Sequence, residues 1–100
     1  MNTMTIRQMQ DNALAAEELL KSLANGHRLM VLCHLVNGEM SVGELEKKLA
    51  VSQSSLSQHL ARLRSQGIVE YRKEGTTVLY RVADEKALRV LGTLYELYCS

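Results

Sequence analysis

Residues Ser41–Val82 read SVGELEKKLAVSQSSLSQHLARLRSQGIVEYRKEGTTVLYRV. Ser41 and Glu44 make an S-x-x-E capping box, in which each side chain satisfies an orphan N–H at a helix start. The helix they open carries Leu45 and Leu49 inward. Ala50-Val51 is a turn. Ser52 then caps a second helix that runs to about Ser65, and Gly67 stops it. Leu56, Leu60 and Leu63 share one stripe of that helix. Ser54, Gln58 and Ala61 therefore lie on the opposite face, with Ser57 and Arg62 on its flanks. Val69 and Tyr71 alternate with charged residues, as do Val78, Tyr80 and Val82. Gly75 between the two runs predicts a β-hairpin with a polar, mostly basic tip, Arg72–Thr77. The order is helix-turn-helix over 41–66 and a wing over 68–82.

The flanks complete the prediction. Residues 1–7 are expected to fray. Met9, Ala13, Ala16, Leu20 and Leu23 recur at threes and fours, which predicts a helix over 8–24. Glu17 and Lys21 pair on its wet side. Asn25-Gly26 breaks this helix, and Asn25 can cap the next one, His27–Val36. Leu29, Leu32, Cys33 and Val36 fall on one side of it, and Asn37-Gly38 ends it. Glu39 and Met40 leave room for a very short strand. Asp84 begins a last helix over 84–99. Its apolar residues, from Ala87 and Leu88 to Leu97 and Tyr98, cover most of the circumference. So apolar a terminal helix needs cover, which a second subunit would supply. The expected fold is mainly α with a small β-hairpin, α-α-α-α-β-β-α. It is one winged helix-turn-helix domain over 1–100, homodimeric through the helices at 8–24 and 84–99.

One hundred residues support one domain, and a lone core of this size is marginal, which favours association. With four Tyr and no Phe or Trp, the core must come from Leu, Val, Met and Ala. The formal charge is only +1. Its distribution is more telling. Ser52–Val82 holds five basic and two acidic residues, whereas Asp84–Ser100 holds two basic and three acidic. Positive charge gathers on the helix-turn-helix and the wing. No apolar run is long enough to span a bilayer, and MNTMTIRQMQDNAL lacks a signal-peptide core. The expected location is the cytoplasm, where a permanent disulfide is unusual.

A surface helix with small hydroxyls and an amide near its N-terminus suits a DNA major groove. Gln58 can pair bidentately with adenine, and Ser54 and Ser57 can meet donors or acceptors, with Gln53 beside them. Arg62, Arg72 and Lys73 suit phosphates, and Thr76 and Thr77 complete the wing tip. A polar solvent face would look similar. The capped helix pair, the small polar face and the basic wing together favour DNA. His59, at the edge of the buried stripe, reads as a structural hydrogen-bonder. No glycine loop, paired carboxylate site or Cys-His-Asx constellation points to an enzyme.

LKSLANGHRLMVLCHL followed by MSVGELEKKLAVSQSSLSQHLARLRSQGIVEYRKEGTTVLYRV closely resembles the ArsR/SmtB family of bacterial repressors, over about residues 14 to 99. The resemblance implies a winged-helix homodimer on a palindromic operator, released when an effector binds. Metal-sensing members place a cysteine pair before the turn, where this chain has Ser41 and Val42. Others use Asp and His on the last helix, which here has Asp84 and Glu85 but no histidine. Neither usual metal site is present, and no cofactor is implied.

Cys33, on the second helix, and Cys99, in the terminal LYC, are the only cysteines. Cys33 lies on an apolar stripe, which alone places it in the core, whereas a penultimate cysteine has little packing reason. On the residues alone the pair is undecided. The pattern RLMVLCHL with LYC resembles the BigR/SqrR/HlyU/YgaV subgroup, whose members respond to reactive sulfur species or oxidants through such a pair. That resemblance implies that Cys33 and Cys99 lie near one another in each subunit. It also implies that a disulfide or polysulfide between them derepresses sulfide- or redox-related genes. His27 and His34 are near enough in sequence to favour a thiolate. The alternatives are a metal-responsive repressor using Cys33, Cys99 and a histidine, and a DNA binder with no effector.

Overall fold

The computed structural model describes residues 3–99. The elements run α1 (Ile6–Leu23), α2 (Gly26–Leu35), β1 (Met40–Ser41), α3 (Val42–Lys48), α4 (Gln53–Ser65), β2 (Val69–Glu74), β3 (Thr77–Val82) and α5 (Glu85–Cys99). The predicted order holds, with the short strand β1 added to it. β1 and β2 flank β3 in a three-stranded antiparallel sheet. Met40 faces Tyr80, and Tyr71 faces the same Tyr80 from the other side.

Local chemistry sets the boundaries. Thr5 accepts from the Gln8 N–H, and the Gln8 side chain accepts from the Thr5 N–H, so α1 starts at Ile6. Fraying through residue 7 is thereby corrected; the same expectation for Met1 and Asn2 lies outside the described residues. The helices break between Leu23 and Gly26, as expected; Asn25 caps α2 through the Arg28 N–H, and Gly26 is already the first residue of that helix. The Ser41–Glu44 capping box is present, and Ser52 caps α4 through the Ser55 N–H. Asp84 caps α5 from outside it, accepting from Lys86 and Ala87. Glu74 pairs with Thr77 across a two-residue turn. Gly75, at its first central position, has φ 64°, which a hairpin turn demands and which glycine adopts without strain.

The core is largely leucine, as the lack of aromatics required. Leu32, Leu35, Leu45, Leu56, Leu60 and Leu63 are buried together with Val31, Ile68 and Val69. Around it the chain is elongated, 49 × 30 × 21 Å. Its radius of gyration is 15.1 Å, against about 13 Å expected for a compact chain of this length. The outlying parts are α1 and the end of α5. Ile6, Met9, Leu14 and Leu20 on α1 are exposed, as are Tyr95, Leu97 and Tyr98 on α5. Only Leu23 of the α1 stripe is buried, with Leu19 packed beside it. Arg28 ties the two N-terminal helices together: its guanidinium donates to the Ser22 carbonyl at 2.7 Å and the Lys21 carbonyl at 3.1 Å.

Candidate nucleic-acid interface and thiol pair

Burial of Leu56, Leu60 and Leu63 turns the opposite side of α4 outward, and Gln53, Ser54, Ser57, Gln58, Ala61 and Arg62 are all exposed. The Ser54 hydroxyl lies 3.4 Å from the capping hydroxyl of Ser52. Gln53 shares a cleft of about 410 Å³ with Thr76 and Thr77 of the wing tip, and Ser41, which caps α3, and Glu46 of α3 also line it. The start of α4 and the tip of the wing thus form one continuous polar edge.

The wing is fixed to α4 and to β1 by contacts that join distant parts of the sequence. The Arg64 guanidinium lies 4.9 Å from the centre of the Tyr71 ring, and Tyr71 packs on Tyr80 at 5.5 Å. Arg72 grips Glu39 bidentately, at 2.8 and 2.9 Å, and reaches Glu74 at 3.1 Å. Donating to Glu39 pushes Arg72 further above its already high range, and the same bond holds the Glu39 carboxyl below the usual carboxylate range. Arg72 is therefore committed to carboxylates of its own chain. Lys73, the next residue, is exposed and makes no ion pair among the described residues. Arg64 and Glu39 escaped the sequence reading because their partners lie on other elements.

His59 stacks on His27 of α2, with ring centres 5.8 Å apart and planes inclined by 25°. The hydrogen-bonding role expected of His59 is replaced by this ring contact. Burial, then the charge of Arg28, then His27, lower its pKa and favour the neutral ring.

Cys33 is exposed, which corrects the core position that its stripe predicted. The buried residues of α2 are Val31, Leu32 and Leu35. Cys33 instead lines a cleft of about 190 Å³ between α2 and α5, with Val36, Asn37, Leu91, Gly92 and Tyr95. Cys99 lies one turn beyond Tyr95 and is likewise an exposed free thiol. Partial burial pushes the Cys33 thiol up, and a negative charge on Cys99 pushes it the same way. No imidazole is among the groups acting on it, and His27 is spent on His59. Among the described residues no three His, Cys, Asp or Glu side chains converge as metal ligands. No described helix is long and apolar enough to cross a membrane.

A family profile described as "Bacterial regulatory protein, arsR family" matches residues 25–71. The transcriptional activator HlyU of Vibrio cholerae is 46% identical over 96% of this chain and 89% of its own. The structure of reduced HlyU from that organism superposes with a TM-score of 0.91, over 95% of this chain and all of that one. The biofilm growth-associated repressor of Agrobacterium fabrum is 47% identical over 92% of this chain and 79% of its own. A homodimeric winged helix-turn-helix domain from Mycobacterium bovis is 32% identical, with a TM-score of 0.77 over 97% of this chain and 89% of that one.

Proposed function

The chain belongs to the ArsR family of bacterial regulatory proteins, and from that premise we propose that it is a homodimeric repressor whose hold on palindromic operator DNA is released when Cys33 and Cys99 become joined through sulfur. Gln53, Ser54, Ser57 and Gln58 read base edges. Arg62, Lys73, Thr76 and Thr77 meet the backbone, and Arg72 joins them only by yielding Glu39. The exposed apolar faces of α1 and α5 supply the subunit contact, as the homodimeric M. bovis relative supports.

One observation carries the switch: Cys33 opens onto the α2–α5 cleft that Tyr95 also lines, and the exposed Cys99 stands one helical turn beyond Tyr95. The chemistry is a two-electron oxidation of the dithiol by a persulfide, RSSH. The Cys33 thiolate takes the terminal sulfur and releases RS⁻. The Cys99 thiolate then attacks the Cys33 Sγ, breaking its bond to the outer sulfur, closing a disulfide and expelling HS⁻. A second equivalent, as RSS⁻, opens that disulfide at Cys33 and frees the Cys99 thiolate, which attacks the sulfur next to the Cys33 Sγ, closes a trisulfide and expels RS⁻. Inserted sulfurs relax the roughly 7 Å limit on Cα separation for a direct disulfide. The reduced state of the V. cholerae structure fits a relative with a redox state of its own.

α2 packs on α4, and in the proposed dimer α5 carries the subunit contact. A bridge between α2 and α5 therefore changes how the two reading helices are spaced. Half-sites lie about 34–36 Å apart, so a small rotation spoils simultaneous docking. A coupling of ~1–3 kcal/mol changes affinity roughly 5–150-fold.

Intact mass after treatment with a persulfide donor tests the chemistry. Loss of two hydrogens, alone or with one added sulfur, is expected in each subunit; Cys33→Ser and Cys99→Ser can carry a persulfide but should not lose the two hydrogens that mark a closed bridge. An unmodified pair, or persulfides that never close into a bridge, overturns the switch.

A further inference from the structure

The His27–His59 stack lies beside the reading face of α4, and the groups around it all carry or can gain positive charge. From α2 come His27 and Arg28; along α4, Arg62 follows His59 by three residues, on the side next to Gln58. Arg28 presses on His59, and Arg62 presses on Arg28. No carboxylate is among the groups that act on His59 or Arg28. Two exposed cations of the wing have a counter-charge: Arg72 has Glu39 and Glu74, and Arg81 has Glu70. Gathering like charges costs stability, so an uncompensated cationic cluster beside a polar reading face calls for an anion from outside.

We propose that His27, His59 and Arg62 form a proton-linked site for one phosphodiester of the DNA backbone, beside the bases that α4 reads. Arg28 is a positioning residue. Its guanidinium is held by the Ser22 and Lys21 carbonyls, so it fixes the start of α2 and adds charge without reaching out. Arg62 is exposed and makes the permanent contact. His27 is exposed at the rim, and His59 stacks behind it. A phosphate arriving at this cluster supplies the negative charge that the imidazoles lack, so it favours their protonated forms. Binding then takes up protons, and affinity rises as pH falls through the histidine range. The proposal rests on the DNA-binding reading and adds, through His27 of α2, a contact outside the reading helix and the wing.

The test uses the full chain and a fluorescein-labelled duplex that the wild-type protein has selected from a random-sequence pool. Anisotropy titrations over a range of salt, at about pH 6 and about pH 8, give affinity and salt slope. The wild type should bind roughly tenfold more tightly at the lower pH. His27→Gln and His59→Gln should match it at the higher pH and lose most of that gain at the lower. His34→Gln, on the same helix, should keep it. Arg62→Gln should weaken binding at both pH values and reduce the salt slope by about 1 per subunit. Arg89→Gln, the same charge change on α5, should leave the slope unaltered. His27 is exposed, so its variant answers the question even if His59→Gln folds poorly. A pH response unchanged by His27→Gln, or equal effects of Arg62→Gln and Arg89→Gln, overturns the site while DNA binding stands. A wild type that selects and holds no duplex overturns the underlying reading instead.

Discussion

The α3–α4 pair and the α1–α5 pair contain much the same residues and end in opposite states. Leu45, Leu56 and Leu63 are fully buried within the subunit, at 0% exposure. Leu14 and Leu97 are apolar to the same degree and stand 61% and 70% exposed. The reading unit is finished inside one chain: capped at both helix starts, packed on the leucine core and strapped to the wing through Arg64 and Tyr71. The outer helices keep apolar side chains open to solvent. Under the proposed function, the difference separates what is rigid within one chain from what would set the spacing of two.

Substitutions should divide along the same line. The largest effect belongs to Leu60→Ala, a core truncation expected to cost about 2–5 kcal/mol in denaturant unfolding. Next comes Leu97→Glu, which should leave the helical circular dichroism intact and split the dimer in sedimentation; an unchanged sedimentation coefficient breaks the comparison. Wild-type melting temperature should rise with protein concentration, and this dependence should vanish in the split variant. Gly75→Ala has open space around the added carbon but keeps a backbone at φ 64°. It should cost about 1 kcal/mol and weaken duplex binding without altering oligomeric state. The smallest effect is on Cys33. Its raised pKa means that alkylation should keep accelerating with pH where an ordinary thiol, near about 8.5, levels off. Cys99→Ser removes the like charge and should move that profile down. A profile indifferent to Cys99 separates the two thiols.

Sequence patterns disclosed the reading unit almost completely, because its determinants are local. Capping residues sit three positions from their partners, and a stripe of leucines fixes which face is wet. The T-x-x-Q box at Thr5 is equally local, yet the apolar stripe of its helix starts only at Met9, so the first turn reads as a frayed end. Cys33 was misplaced by periodicity: α2 buries Val31, Leu32 and Leu35 and turns Cys33 toward α5, a choice made by the neighbour and not by the helix. The Arg72–Glu39 clamp spans thirty-three residues, and the His27–His59 stack depends on where α2 crosses α4. Neither has a spacing that a linear pattern could reveal.

The central claim is that joining two sulfurs inside each subunit changes how the pair of subunits holds DNA. Its most direct test is the affinity for one selected duplex, measured before and after treatment with a persulfide donor, with the oligomeric state followed in parallel. The wild type should remain a dimer and lose affinity roughly 5–150-fold, recovering it on reduction, while Cys33→Ser should bind equally well throughout. A treated wild type that carries the bridge and holds the duplex as tightly as before would contradict the claim.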